Sequence, residues 1–169
     1  MTVSVLIMIL PVEYCLQFEY CSFEEHVPLS CYGNSIAVQY CKFGVRSGIR
    51  CYNVSKTTIQ YSSLDESYIG VSNAAVIHYN DINGGNEEAG GIWVDTGTYT
   101  IRFNNIINTT EHAISNGNYY ADTIYLYVDN NYIANCNGLI GVDTDGSQSE
   151  GVVYNSYRTT PVEEAGCGW

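Results

Sequence analysis

The chain has 169 residues, enough for one domain with a sizeable core. Its 46% hydrophobic content and 16 Tyr exclude a disordered polymer, and 16 Asn and 16 Gly beside two Met point to short strands and tight turns rather than long helices. The net charge is −12, with only Arg102 and Arg158 set against the acids from Asp65 onward, so a phosphate backbone would be repelled and nucleic acid is not an expected partner.

The first apolar run, residues 3–10, is too short to span a bilayer. It has neither the basic start nor the small-residue cleavage site of a signal peptide. The expectation is a single domain over 1–169, with 1–14 as a first strand or N-terminal cap and 158–169 as a C-terminal tail. No membrane insertion is expected.

From residue 18 a short phrase returns along the chain: Phe18-Glu19-Tyr20-Cys21, Val38-Gln39-Tyr40-Cys41, Ile59-Gln60-Tyr61-Ser62, Ile77-His78-Tyr79-Asn80 and Ile101-Arg102-Phe103-Asn104. Leu126-Tyr127-Val128-Asp129 and Val152-Val153-Tyr154-Asn155 extend it. A second phrase is interleaved: Leu29-Ser30-Cys31, Ile49-Arg50-Cys51, Ile69-Gly70-Val71, Ile92-Trp93-Val94, Ile114-Ser115-Asn116 and Ile140-Gly141-Val142. Repeats of roughly 18 to 26 residues signal a solenoid. Period-two alternation within each phrase signals a short strand with one buried face. Two such strands per repeat predict an all-β fold, a single-domain parallel β-helix of about six to seven coils with successive coils about 4.8 Å apart.

Stacking turns each position into a column. Tyr20, Tyr40, Tyr61, Tyr79, Phe103, Val128 and Tyr154 are expected to face the core. Cys21, Cys41, Ser62, Asn80, Asn104, Asp129 and Asn155 form a small or polar corner column in which buried Asn hydrogen-bonds along its own stack. A bulge is expected at residues 129–133, where the register slips. Cys21 is expected to stack with Cys41 and Cys31 with Cys51. The pairs read as a core thiol ladder, with inter-coil disulfides or a metal site as alternatives.

The residues between inward positions form outward ladders. On the first sheet these are Glu19, Gln39, Gln60, His78, Arg102, Tyr127 and Val153; on the second they are Ser30, Arg50, Gly70, Trp93, Ser115 and Gly141. His78 and Arg102 belong to a polar stripe suited to a glycan groove. Asp95 and Asp143 end equivalent strands two coils apart, roughly 9 to 10 Å, which is near the carboxyl separation of an inverting glycosidase. They are candidate catalytic residues, with His112 as a proton donor or acceptor beside Glu111, and Trp93 as a stacking platform. The Asp143-Thr144-Asp145-Gly146 run matches part of a calcium loop without its downstream ligands, making Asp143 and Asp145 possible calcium ligands and calcium the one cofactor considered. Both Asp-Gly runs are also ordinary turn sequences.

These phrases, over about residues 15–157, resemble the right-handed parallel β-helix superfamily of pectate lyases, polygalacturonases, phage tailspikes and surface proteins. The resemblance implies a polysaccharide or glycan ligand bound along one outer face. Ile92-Trp93-Val94-Asp95-Thr96 is similar to the Trp-Ile-Asp-His segment of pectate lyases, with Thr96 in place of His. Neither the lyases' Arg-x-Pro-x-x-Arg nor the polygalacturonase signatures occur. The expectation is therefore a non-catalytic or structural β-helix at a cell or virion surface, binding glycan or self-associating end to end. A polysaccharide lyase or glycosidase, and a calcium-dependent adhesin, are the alternatives.

Overall fold

The computed structural model of the chain describes residues 6–7, 15–85, 91–116, 124–142 and 151–163. These residues build a parallel β-solenoid of about five turns with no helix among them. A partial turn holds β1 (Leu6–Ile7), β2 (Cys15–Glu19) and β3 (Ser22–Phe23). Full turns follow as β4 (Leu29–Gln39) with β5 (Lys42–Phe43), β6 (Ile49–Gln60) with β7 (Ser63–Leu64), and β8 (Tyr68–His78) with β9 (Asp81–Asn83). The next are β10 (Gly91–Arg102) with β11 (Asn105–Ile107), then β12 (His112–Asn116) with β13 (Ile124–Ala134). A second partial turn, β14 (Gly138–Val142) and β15 (Gly151–Arg158), is the last one described. Every strand pairing is parallel. The expected count of six to seven coils includes these two partial turns.

Each turn has three walls rather than two. The second phrase supplies the second sheet, and the first phrase the first sheet. A third sheet runs through β3, β5, β7, β9, β11 and the end of β13. Its inward residues are Phe23, Phe43, Leu64, Ile82, Ile106 and Ile133, each five positions after the inward apolar residue of the first sheet. Phe23 and Phe43 stack with centroids 4.5 Å apart. Ile59, Ile77 and Ile101 are fully buried between the walls. At roughly 25 cal/mol per Å² of apolar surface, such columns supply most of the drive to coil.

Three columns of left-handed backbone turn the corners. Gly33, Asn53, Asn73 and Gly97 join the second sheet to the first. Tyr20, Tyr40, Tyr61, Tyr79, Phe103 and Asn130 join the first to the third, and His26, Arg46, Glu66, Gly85, Asn108 and Asn135 close the turn. A side chain at Gly97 is impossible, because a Cβ would sit 1.4 Å from the Asn73 carbonyl oxygen.

The aromatic column is real but does not face the core. Its members have φ near 50°, which swings each ring out of the wall and turns the following residue inward. Tyr20 is 63% exposed. Ring centroids from Tyr20 through Tyr40, Tyr61 and Tyr79 to Phe103 are 5.1, 5.1, 5.2 and 5.1 Å apart, each pair stacked. Such contacts, about 0.5–1.5 kcal/mol each, offset the strain of left-handed bulky residues.

The inward neighbours form the hydrogen-bonded ladder. Asn104 Oδ1 accepts from the Asn80 backbone N–H (3.0 Å), and Asn131 Oδ1 from that of Asn104 (3.0 Å). Asn80 Oδ1 accepts from the Ser62 N–H (3.0 Å), and the Ser62 hydroxyl from the Cys41 N–H (3.1 Å). The last described rungs of these columns are therefore Asn130 and Asn131, where Val128 and Asp129 were expected. Ile101 is in register with Val128 and Arg102 with Asp129, so Val128 is a core residue and Asp129 an outward one. A register shift falls within the expected residues 129–133, between Val128 and Asn131, in the pairing of β13 with β15. The side chains of 153–155 lie outside the described residues.

Candidate functional site

The outward ladder of the second sheet has the expected members: Ser30, Arg50, Gly70, Trp93, Ser115 and Gly141 are in register from coil to coil. At its centre Gly70 leaves a gap that two tyrosines fill. A Cβ there would lie 2.9 Å from the Tyr52 hydroxyl oxygen and 3.5 Å from the Tyr68 ring. Tyr52 meets Trp93 edge to face, with centroids 6.0 Å apart. The Arg50 guanidinium lies over the Tyr68 ring, 5.2 Å from its centroid. Tyr32 is 42% exposed and precedes the left-handed corner at Gly33, as Tyr52 precedes that at Asn53.

Asp95 follows β10's second-sheet residues and ends the same wall. Burial pushes the Tyr52 phenol up, with Tyr68 and Asp95 adding to the effect and Arg50 opposing it. Burial and then Asp95 likewise raise the Tyr99 phenol, whose hydroxyl donates to the Thr96 carbonyl at 2.8 Å. The result is a half-exposed aromatic floor flanked by one guanidinium and one carboxylate. Flat rings offer C–H/π surface to a pyranose, and the two charged ends offer hydrogen bonds to its hydroxyls.

The other sequence-derived candidates do not converge here. Val94, Asn116 and Val142 are register partners, so the strand before Asp143 lies two coils from the strand before Asp95. Asp143 and Asp145 themselves lie outside the described residues. His112 begins β12, at the opposite end of the sheet from Asp95's corner, about 16 Å away at the usual rise per residue. Its ring packs on the next strand, where a Cβ on Gly138 or Gly141 would come within 2.3 or 2.4 Å of it. Glu111 is exposed beside it, and its carbonyl accepts from the Thr109 hydroxyl at 2.7 Å.

His78 and Arg102 sit on a different wall, as adjacent rungs of the first sheet. That ladder reads Glu19, Gln39, Gln60, His78, Arg102 and Asp129; Asp129 stands where Tyr127 was expected, for the register reason given above. Gln39 donates to Glu19, and Gln60 to Gln39 at 2.6 Å. Glu19, Gln39 and Gln60 are thus engaged with one another along the axis.

A recess of about 350 Å³ runs along the outside of the third sheet from Lys42 to Tyr132, bordered at one end by Pro161. Asn105 holds the chain there, accepting from the Val162 N–H at 2.6 Å and donating to its carbonyl at 3.1 Å and to Asp81 at 2.6 Å. Among the described residues no group of three His, Cys, Asp or Glu is placed to hold a metal ion.

The sequence pointed to Arg50 and Trp93 as members of one ladder but missed Tyr32, Tyr52 and Tyr68. Their signal was the Cys31-Tyr32 and Cys51-Tyr52 dipeptides, one repeat apart. No family model matches the chain, and neither the curated proteins nor the solved structures yielded a match.

Proposed function

We propose that the protein is a non-catalytic glycan-binding β-solenoid whose binding face is the outer side of the second sheet, around Gly70. The observation that carries the reading is the Tyr52–Trp93 edge contact beside the Arg50–Tyr68 stack on a solvent-facing wall. A folded solenoid does not need these rings for its core, which the aliphatic columns already fill. Their chemistry suits the apolar face of a sugar ring, and Arg50 and Asp95 suit its hydroxyls. A surface setting fits such a role. His112 lies too far from Asp95 to exchange a proton with it directly.

Affinity electrophoresis and calorimetry against a panel of neutral and acidic polysaccharides test this. Trp93→Ala and Tyr68→Ala should each weaken binding by about tenfold or more while leaving the circular dichroism spectrum unchanged. Wild-type protein that binds no member of the panel would sink the reading. Release of reducing ends, abolished in Asp95→Asn, would replace it with an enzyme.

A further inference from the structure

We propose that Cys21 with Cys41, and Cys31 with Cys51, are two dithiol pairs that close as inter-coil disulfides and staple the first partial turn and the two turns after it. Cys31 and Cys51 are direct register partners between β4 and β6. The Cys21 carbonyl accepts from the Lys42 N–H at 2.8 Å, which puts Cys21 and Cys41 on successive rungs of one corner. Stacked strands lie about 4.8 Å apart, inside the range of Cα separations that disulfides accept.

The corner ladder supplies a second argument. Its side-chain links run from Asn131 down to the Cys41 N–H and stop there. Below that rung the thiols reach only carbonyls: Cys41 Sγ lies 3.3 Å from the Gln39 oxygen and 3.5 Å from that of Phe18, and Cys21 Sγ 3.4 Å from that of Glu19. The first partial turn therefore lacks the link from backbone N–H to side-chain oxygen that ties later turns together, and a Cys21–Cys41 bond would tie it covalently instead. The second pair carries the tie onward to β6 on another wall.

With glutathione disulfide as the oxidant, the half-buried Cys21 attacks as thiolate and displaces one glutathione thiolate, leaving a mixed disulfide. Cys41 then attacks the Cys21 sulfur, forms the Cys21–Cys41 bond and releases the second glutathione. The two thiol protons end on the two glutathiones, so one protein dithiol is oxidised as one glutathione disulfide is reduced. The Cys31–Cys51 pair is fully buried and reacts in the same way when that end of the stack opens.

The test is to treat the full chain with glutathione disulfide, block residual thiols, digest without reductant and map the cross-links by mass spectrometry. Peptides joined at 21–41 and 31–51 are expected, with loss of two hydrogens per bond and a melting midpoint raised by about 5 °C that reverts with dithiothreitol. Cys31→Ser should retain 21–41 alone, and the wild-type map decides if that variant misfolds. Persistent glutathione adducts, cross-links to Cys15 or Cys136, a single pair closing, or an unchanged thiol count would each overturn the proposal.

Discussion

One buried ring nitrogen of His78, Nδ1, has no hydrogen-bond partner, while the ring leans on Tyr61 and Tyr79. Burial lowers its pKa from the ordinary 6.5, and neighbouring Arg102 lowers it further. A depressed folded pKa means the native state binds fewer protons than the unfolded chain. This stability is present above 6.5 and is lost as pH falls through the folded value. Asp81, raised mainly by burial, acts with the opposite sign, its contribution being lost as pH rises from 3.8 through its folded value. The comparison that isolates His78 is with His78→Gln, which continues the Gln39–Gln60 ladder without a titrating group. Urea midpoints taken at neutral pH and near pH 5 should fall more steeply for wild type than for this variant.

The corner ladder behaves as one element. Asn104 is fully buried; its Nδ2 donates to the carbonyls of Ile77 (2.9 Å) and Arg102 (3.1 Å), and its Oδ1 accepts the Asn80 N–H. Truncation orphans groups on two successive rungs, so Asn104→Ala should cost about 3 kcal/mol in equilibrium denaturation. A cost below about 1 kcal/mol would show that the ladder only follows the coil. Much of this element was legible in advance, because the side-chain types at Ser62, Asn80 and Asn104 recur where the strand must turn. The error at Val128 and Asp129 came from matching Leu126-Tyr127-Val128 to Ile101-Arg102-Phe103 by apolar type. Both share inward parity, and only the left-handed corner, which Asn130 occupies instead of an aromatic, fixes the frame. The outward turn of the tyrosines was hidden for the same reason: alternation predicts the face of a residue inside a strand, not of one just beyond its end. The third sheet escaped because its strands are two or three residues long before β13, too short to show a period. The aromatic floor at Gly70 joins residues from separate coils, and only the register reveals which rings meet.

For the molecule as a whole, four of the six basic residues fall within residues 42–56 of the sequence, and coiling disperses them. Lys42 lies on the third sheet, Arg46 at a corner, Arg50 on the second sheet and Lys56 on the first. Stability in such a stack comes from neighbouring turns, so it should be lowest where a turn has a neighbour on one side only. β2 alternates exposed and half-buried residues, whereas Ile77 and Ile101 are fully enclosed. Native-state hydrogen exchange should therefore run at least about tenfold faster for amides of residues 15–19 than for those of 74–78. Uniform protection would mean the solenoid opens as a single unit. The three left-handed corners, repeated at the same place in each circuit, carry a genetic consequence. Ile49 lies directly beneath Ile69, so a tandem duplication of codons 49–68 would begin and end at the same backbone conformation. The copy would enter as one more storey of about 4.8 Å, leaving the floors above and below unaltered.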